Sequence, residues 1–482
     1  WNDQRTQRVT LHHQPDALIA ASDRPLELLR DVTTRARGGV FLGLGPTNRE
    51  WVTADPEQAV MVLGPPRSGK TSAVVIPALL TAPGAVVSTS TKLDVFHATA
   101  PCRSVGGQIW LFDPAGAEEV PLGAHRLRWS PVDARSSWDD SLTMARAMVD
   151  AAETGTGGES DFWNERAGAL LAGLLRAAAV SGRGVQDVRT WVLRHELDQP
   201  IAALELHDEE LAAEVLEGVA RSSERTASGI FASASSVLSA YNSSAALKNC
   251  ERPNFDPDAF VASTDTVYIS APAYLQARLA PLVVGLLEQI RNAAYARARR
   301  LSATSGEAPL LWALDEVANI APLSSLPALI SEGGGQGLQV LACLQDLSQA
   351  RARWGSAADG FLSLFGTKIV FAGIGDLETL RALSAFVGTW DRPYTSVSTS
   401  SSKTRSWSDP LLFGGSRTDG VSTTTSVQRE TILSEGDIAN LPSGYALLLQ
   451  ARRWSLLRTE PYFASGCWQN VLSHAPRQVL ER

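Results

Sequence analysis

The chain reads as an α/β protein, a mainly parallel and doubly wound sheet interrupted by an all-helical insertion, and three features of the sequence predict this. Short runs rich in β-branched and aromatic residues recur at Ala59 to Leu63, Ala85 to Thr89, Gln108 to Phe112, Thr266 to Ser270, Leu310 to Leu314, Leu338 to Leu344 and Lys368 to Phe371. Most are separated by helical patterns, as in parallel sheets covered on both faces. From about Pro131 to Cys250 the texture changes to long Ala/Leu/Glu/Arg stretches at helical spacing, such as Phe162 to Val180 and Leu204 to Val219. Near the end, Gly444 to Gln450 and Trp454 to Arg458 read as two closing strands, an antiparallel edge of the same sheet. The Ser/Thr/Gly-rich stretch Thr395 to Ser426 lacks apolar periodicity and reads as an exposed hairpin or flexible loop.

Composition narrows the class. At 482 residues the chain exceeds what one hydrophobic core supports, so at least two structural units are expected. A net charge of −8 and a pI near 5.5 argue against a surface that attracts polyanions everywhere; contact with nucleic acid requires a local lining. Cys102, Cys250, Cys343 and Cys467 lie far apart without a CxxC pair, which fits a reducing compartment. The seven His show no HExxH spacing, so no zinc site is expected. The longest apolar runs, around Leu170 to Val180 and Ala280 to Leu287, fall short of the ~20 residues of a membrane span. The sequence starts at Trp1 without an initiator Met or signal peptide, and the expectation is that residues have been removed upstream, which leaves a membrane segment among them open.

The run Ala59 to Leu63 leads into GPPRSGKT, Gly64 to Thr71, and an apolar helical segment follows from Ser72 to Leu80. Strand, glycine-containing loop and helix in that order form a phosphate cradle. The residues Gly64, Pro65, Pro66, Arg67, Ser68, Gly69, Lys70, Thr71 and Ser72 surround the expected nucleotide, ATP. Lys70 is placed to reach the β/γ-phosphates, and the Thr71 hydroxyl to ligate Mg2+. The strand Leu310 to Leu314 ends in Asp315 and Glu316. Asp315 is assigned to the Mg2+ shell and Glu316 to general-base activation of the attacking water. The long interval between Lys70 and Asp315 exceeds a few strand and helix units at ~30 residues each, and the helical insertion accounts for the excess. The expected layout is a nucleotide-binding domain in two parts, 1–130 with a lead-in segment and 253–482, with an all-α domain at 131–252.

The segment Leu310 to Gln349, with its acidic pair, ANIAPLSSLP and a glycine-rich turn into a strand ending in Gln, resembles the core of the type IV coupling proteins, the ATPases of bacterial conjugation and type IV secretion. The resemblance extends through STSTKLDVF at Ser88, LFDPAG at Leu111, SERTASGI at Ser223 and TVYISAP at Thr266, and so covers most of the chain. It implies a RecA-like P-loop NTPase domain with a membrane-distal all-α domain for substrate recognition. It also implies a homo-hexameric ring, anchored at the cytoplasmic face of the bacterial inner membrane, that delivers relaxase-linked single-stranded DNA or another secreted protein to the secretion channel. Gln345 matches the position from which RecA-like motors sense the terminal phosphate. Where some members carry an arginine offered to a neighbouring subunit, this chain has Gly333, Gly334, Gly335 and Gln336. Arg225, Arg351 and Arg353 are the alternatives, although for each a solvated surface position is the default.

Other signals are two-sided. Arg291, Arg297, Arg299 and Arg300 suit either a DNA-lined channel or a helix C-terminus favoured by its dipole. Trp110, Trp129, Trp138, Trp163 and Trp191 could stack bases, but core packing is the default for aromatics in such patterns. Against the coupling-protein reading stand an FtsK-like double-stranded DNA translocase and a nucleotide-gated substrate receptor with little hydrolysis.

Overall fold

The structure is a computed structural model and describes residues 15–35, 39–152, 158–301, 308–404, 416–451 and 453–476. The strands in chain order are β1 (Phe41–Leu44), β2 (Trp51–Thr53), β3 (Val60–Leu63), β4 (Val86–Ser90), β5 (Ile109–Phe112), β6 (His125–Arg126), β7 (Thr266–Ser270), β8 (Leu310–Leu314), β9 (Leu338–Leu344), β10 (Thr367–Val370), β11 (Thr389–Thr404), β12 (Ser416–Thr431), β13 (Tyr445–Gln450) and β14 (Arg453–Arg458). Twelve of them form one sheet in the order β2-β1-β14-β13-β10-β3-β9-β8-β4-β7-β5-β6. From β10 to β6 every pairing is parallel. From β10 outward through β13, β14, β1 and β2 every pairing is antiparallel.

The short apolar runs become central strands because both of their faces are covered. All residues of β3, β7, β8 and β9 are buried. Alternation sends Met61, Leu63, Trp312 and Leu314 into one core and Val60, Val62, Leu311 and Ala313 into a second core on the opposite face. Between β6 and β7 the described residues are helical or irregular, and helices that include Trp138–Ala152, Gly158–Val180, Val185–Arg194 and Glu224–Val237 contribute to the first core. Their core is continuous with that of the sheet: Leu171, Leu174 and Leu216 belong to the same buried cluster as Met61 and Trp312. The helix Gln276–Arg300 packs between the two and contributes Leu282, Val283 and Leu286 to that cluster.

Some expectations need adjustment and others are met. The stretch Leu204 to Val219 is two helices, Asp198–Leu206 and Glu210–Ala220, because the chain turns at Asp208, which adopts a left-handed φ of 58°. The edge strands β1 and β2 escape the sequence reading: they are four and three residues long, too short for a period to be visible. Arg291 is not a freely solvated charge: its guanidinium lies 2.6 Å from the buried Glu288 carboxylate. Trp129 and Trp191 are buried, while Trp110, Trp138 and Trp163 pack against the same core. The hydroxyl-rich stretch is part of a two-stranded antiparallel ribbon, β11 with β12; residues 405–415 lie outside the described residues. Among the described residues, no helix is long and apolar enough to cross a membrane.

Candidate functional site

The site forms where the carboxyl ends of β3, β9, β8 and β4 reach the same edge of the sheet, the place where open α/β sheets hold ligands. Because β9 lies between β3 and β8, Gln345 emerges between the glycine loop and the acidic pair. A cleft of about 350 Å3 opens there; Ser68, Lys70, Thr71, Asp315, Glu316 and Gln345 all line it.

The loop Gly64 to Lys70 is held open by backbone geometry. Gly69 has φ +100° and Arg67 φ +63°, conformations that turn successive amides inward. A Cβ on Gly64 would lie 2.7 Å from Ser68 Oγ and 2.8 Å from Phe371 Cβ, so only glycine fits there. The Lys70 ammonium donates to the Gly64 and Pro65 carbonyls, at 3.0 Å for the latter, and Ser68 Oγ is buried without a partner. A donor folded onto its own loop and an orphaned hydroxyl are the features a phosphate would satisfy. The helix that follows starts with a wide π-type turn, Thr71–Val75, and continues as Ile76–Thr81; Pro77 lacks the N–H that an unbroken α-helix from Thr71 would direct to the Ala73 carbonyl.

Thr71 Oγ1 donates to Asp315 Oδ2 at 2.7 Å, joining the two motifs across the cleft. Thr89 Oγ1 donates to the Asp315 carbonyl at 2.9 Å, and the Glu316 amide to Asp315 Oδ1 at 3.1 Å. Burial pushes the Asp315 carboxyl above its usual range, against the pull of the Thr71 hydroxyl and the Lys70 ammonium. A hydroxyl and a carboxylate at this separation are the oxygen donors Mg2+ takes. Glu316 sits at φ +51°, a left-handed position costly for a residue with a side chain, and Gln276 Nε2 lies 3.4 Å from its Oε2. The Gln345 amide is held by Gln349 Oε1 at 3.0 Å, so its backbone is fixed at the strand end.

The structure brings the loop, Asp315, Glu316 and Gln345 to one cleft. It adds Asp94 and Gln349, which also line it and which the sequence reading did not single out. Their signal lay in topology: STSTKLDVF follows β4, and β4 adjoins β8. LFDPAG and its neighbours serve the fold instead. The buried Asp113 carboxylate accepts the amides of Ala115, Gly116 and Glu118 and shapes the turn after β5.

The suggested arginines lie elsewhere. Arg353 donates to the Asp150, Ala151 and Pro322 carbonyls. Arg351 pairs with Asp359 and Glu378, and Arg225 is exposed on the helix Glu224–Val237. In the glycine turn, a Cβ on Gly334 would fall 1.9 Å from the Glu57 carbonyl oxygen, which forbids any side chain there, whereas Gly335 faces open space. Two further ties run nearby: Ser324 Oγ donates to Asp150 Oδ2 at 2.7 Å and Trp354 Nε1 to the Leu323 carbonyl at 2.7 Å, so the segment after the acidic pair is fastened to the helices Trp138–Ala152 and Leu347–Trp354.

The solved structures that resemble this one include the bacterial conjugative coupling protein TrwBdeltaN70 in an unbound form, at TM-score 0.64 and 17% identity over 94% of each chain. They also include plasmid coupling protein TrwB with a non-hydrolysable ATP analogue, at TM-score 0.60 and 18% identity over 84% of this chain and 86% of that one. TrwB with ADP and Mg2+ matches at TM-score 0.59 and 17% identity, over 84% and 85%. The fold is therefore that of a RecA-like P-loop protein bearing an all-α unit. No curated protein matches the sequence. The family model for type IV secretory system conjugative DNA transfer matches residues 19–451, and the chain belongs to that family.

Proposed function

We propose that the chain is the ATP-hydrolysing motor of a conjugative DNA-transfer system, bringing relaxase-linked single-stranded DNA or a secreted protein to the channel. The observation that carries the reading is the Thr71 Oγ1 to Asp315 Oδ2 contact, which sets the phosphate loop against the acidic pair, with Glu316 and Gln345 on the same cleft. Bound ATP supplies the phosphoryl group, and Mg2+ neutralises its oxygens. Lys70, now on its loop carbonyls, would reach the phosphates, and Thr71 and Asp315 would hold the metal. Glu316 takes the proton of the attacking water; Gln345, fixed at the end of β9, reads the terminal phosphate. The assigned phosphate loop comprises Gly64 to Ser72. Residues 131–252 are assigned to substrate recognition, and the active form to a homo-hexamer at the cytoplasmic face of the inner membrane.

A nucleotide-gated receptor is the second reading, favoured by the glycine turn. Position 334 cannot carry an arginine, whose equivalent contributes ~10³ to 10⁵ in rate in other motors. Steady-state ATP hydrolysis with and without single-stranded DNA, across protein concentration, separates the two. The motor predicts turnover that rises with DNA and concentration and falls about 10²- to 10⁴-fold in Glu316→Gln, with nucleotide affinity retained. Nucleotide binding without turnover at any concentration supports the receptor.

A further inference from the structure

The β11–β12 ribbon is the part of the molecule its own fold does not explain. Its strands are 16 residues each in unbroken register, about 50 Å at ~3.3 Å per residue. All its residues with described side chains are exposed except Gly420 and Glu430, which are half-buried. A lone two-stranded hairpin is marginal in water and offers open edges to whatever it meets.

Its two faces differ. Alternation puts Trp390, Arg392 and Tyr394 in one row on the same face. Both aromatics are conspicuously exposed, Trp390 at 49% and Tyr394 at 57%. Hydroxyls continue that row, with Ser396 to Ser402 at every second position opposite Thr424, Ser422 and Thr418. The single acid on this face among the described residues is Glu430, and it pairs with Arg392 at 3.3 Å. With Arg392 offset by Glu430 the face is neutral, so on a protein of net charge −8 it adds nothing to the repulsion a polyanion meets. The opposite face carries Pro393, Val397, Val421 and Val427, together with the pairs Asp391 with Arg429 and Asp419 with Arg417, and Lys403.

We infer that the Trp390, Arg392 and Tyr394 face of the ribbon is a docking arm for single-stranded DNA, bound without sequence preference. The inference rests on the DNA-moving reading above. Exposed aromatics stack on unpaired bases whatever their identity, Arg392 between them can exchange its Glu430 partner for a phosphate, and hydroxyl rows donate to the backbone. The spacing suits it: Trp390 and Tyr394 are four residues apart, about 13 Å at ~3.3 Å per residue, a span that extended single strands cover in about two nucleotides. Duplex DNA hides the base faces such a row requires.

Fluorescence anisotropy of a fluorescein-labelled oligothymidylate of about 20 nucleotides tests the inference, measured without nucleotide on the intact chain. Trp390→Ala with Tyr394→Ala is expected to weaken binding at least about tenfold and to leave DNA-independent ATP turnover unchanged. Trp390→Phe with Tyr394→Phe is expected to retain most of it, and a duplex of equal length to bind more weakly. Unchanged affinity in the double alanine variant overturns the arm. So does a variant whose sedimentation, but not its DNA affinity, changes, because the face then packs on a second copy of the chain. A wild-type chain that hydrolyses ATP under DNA control while the arm variants behave like it overturns the arm alone. A wild-type chain that neither binds the oligonucleotide nor turns over ATP overturns the motor as well.

Discussion

β8 and the β11–β12 ribbon are opposite uses of the same backbone. β8 is five residues long, paired on both edges and buried at every position; each ribbon strand is 16 residues long, paired on one edge and exposed. The length of a strand therefore says little about what it holds in place. A short strand caught between two cores can fix Asp315 against Thr71 at hydrogen-bond distance. A long one in water can follow a flexible ligand but cannot orient a reacting atom.

This contrast can be broken or sharpened by substitution. The largest structural effect is expected at Arg103, buried beside β4 and β7, which donates to Thr266 Oγ1 and to the Ala82, Gly84 and Thr264 carbonyls. Burial holds its guanidinium below its ordinary pKa. Arg103→Ala strands those acceptors and should cost about 3–5 kcal/mol in urea unfolding. A cost below ~1 kcal/mol would mean the sheet's end is as forgiving as the ribbon.

Lys368 on β10 tests the reverse sign. It is 2% exposed, with Nζ 4.4 Å from the centroid of the Phe386 ring, and burial lowers its pKa from 10.5 to about 8. Below the folded pKa the ammonium is charged in both states, so the desolvation cost is fully present. As pH rises from about 8 to 10.5 the folded protein sheds its proton while the unfolded chain keeps it, and the cost disappears. Lys368→Met should therefore stabilise the protein by about 1–3 kcal/mol at neutral pH, the attraction to Phe386 offsetting part of the gain. That advantage should shrink towards about pH 10 in paired urea titrations. The smallest effect belongs to the ribbon: Val421→Ser, at an exposed position, should move stability by less than ~0.5 kcal/mol. A larger loss would show that this face is packed in solution.

Much of the parallel sheet was legible because burial on both faces turns a strand into an uninterrupted apolar run. TVYIS, LLWAL and LQVLACL are such runs, and β7, β8 and β9 begin and end with them. The phosphate loop and acidic pair were legible for a different reason, since their chemistry restricts residue types at fixed spacing. Nothing local marked β1 and β2, whose place depends on β14 arriving from the far end of the chain. Asp94 and Gln349 were hidden likewise, because strand order, which no short window carries, brings them to the cleft. The turn at Asp208 was missed because helical spacing persists on both sides of it.

The unbroken core from Met61 through Leu286 to Leu174 has a consequence for how the molecule comes apart. An inserted unit joined by a linker melts by itself and leaves its host folded. Here the helices and the sheet share the same buried side chains, so exposing one group exposes the other. Heat should therefore dissolve both in one cooperative step, and the helical unit is less a passenger on the sheet than an extension of its core.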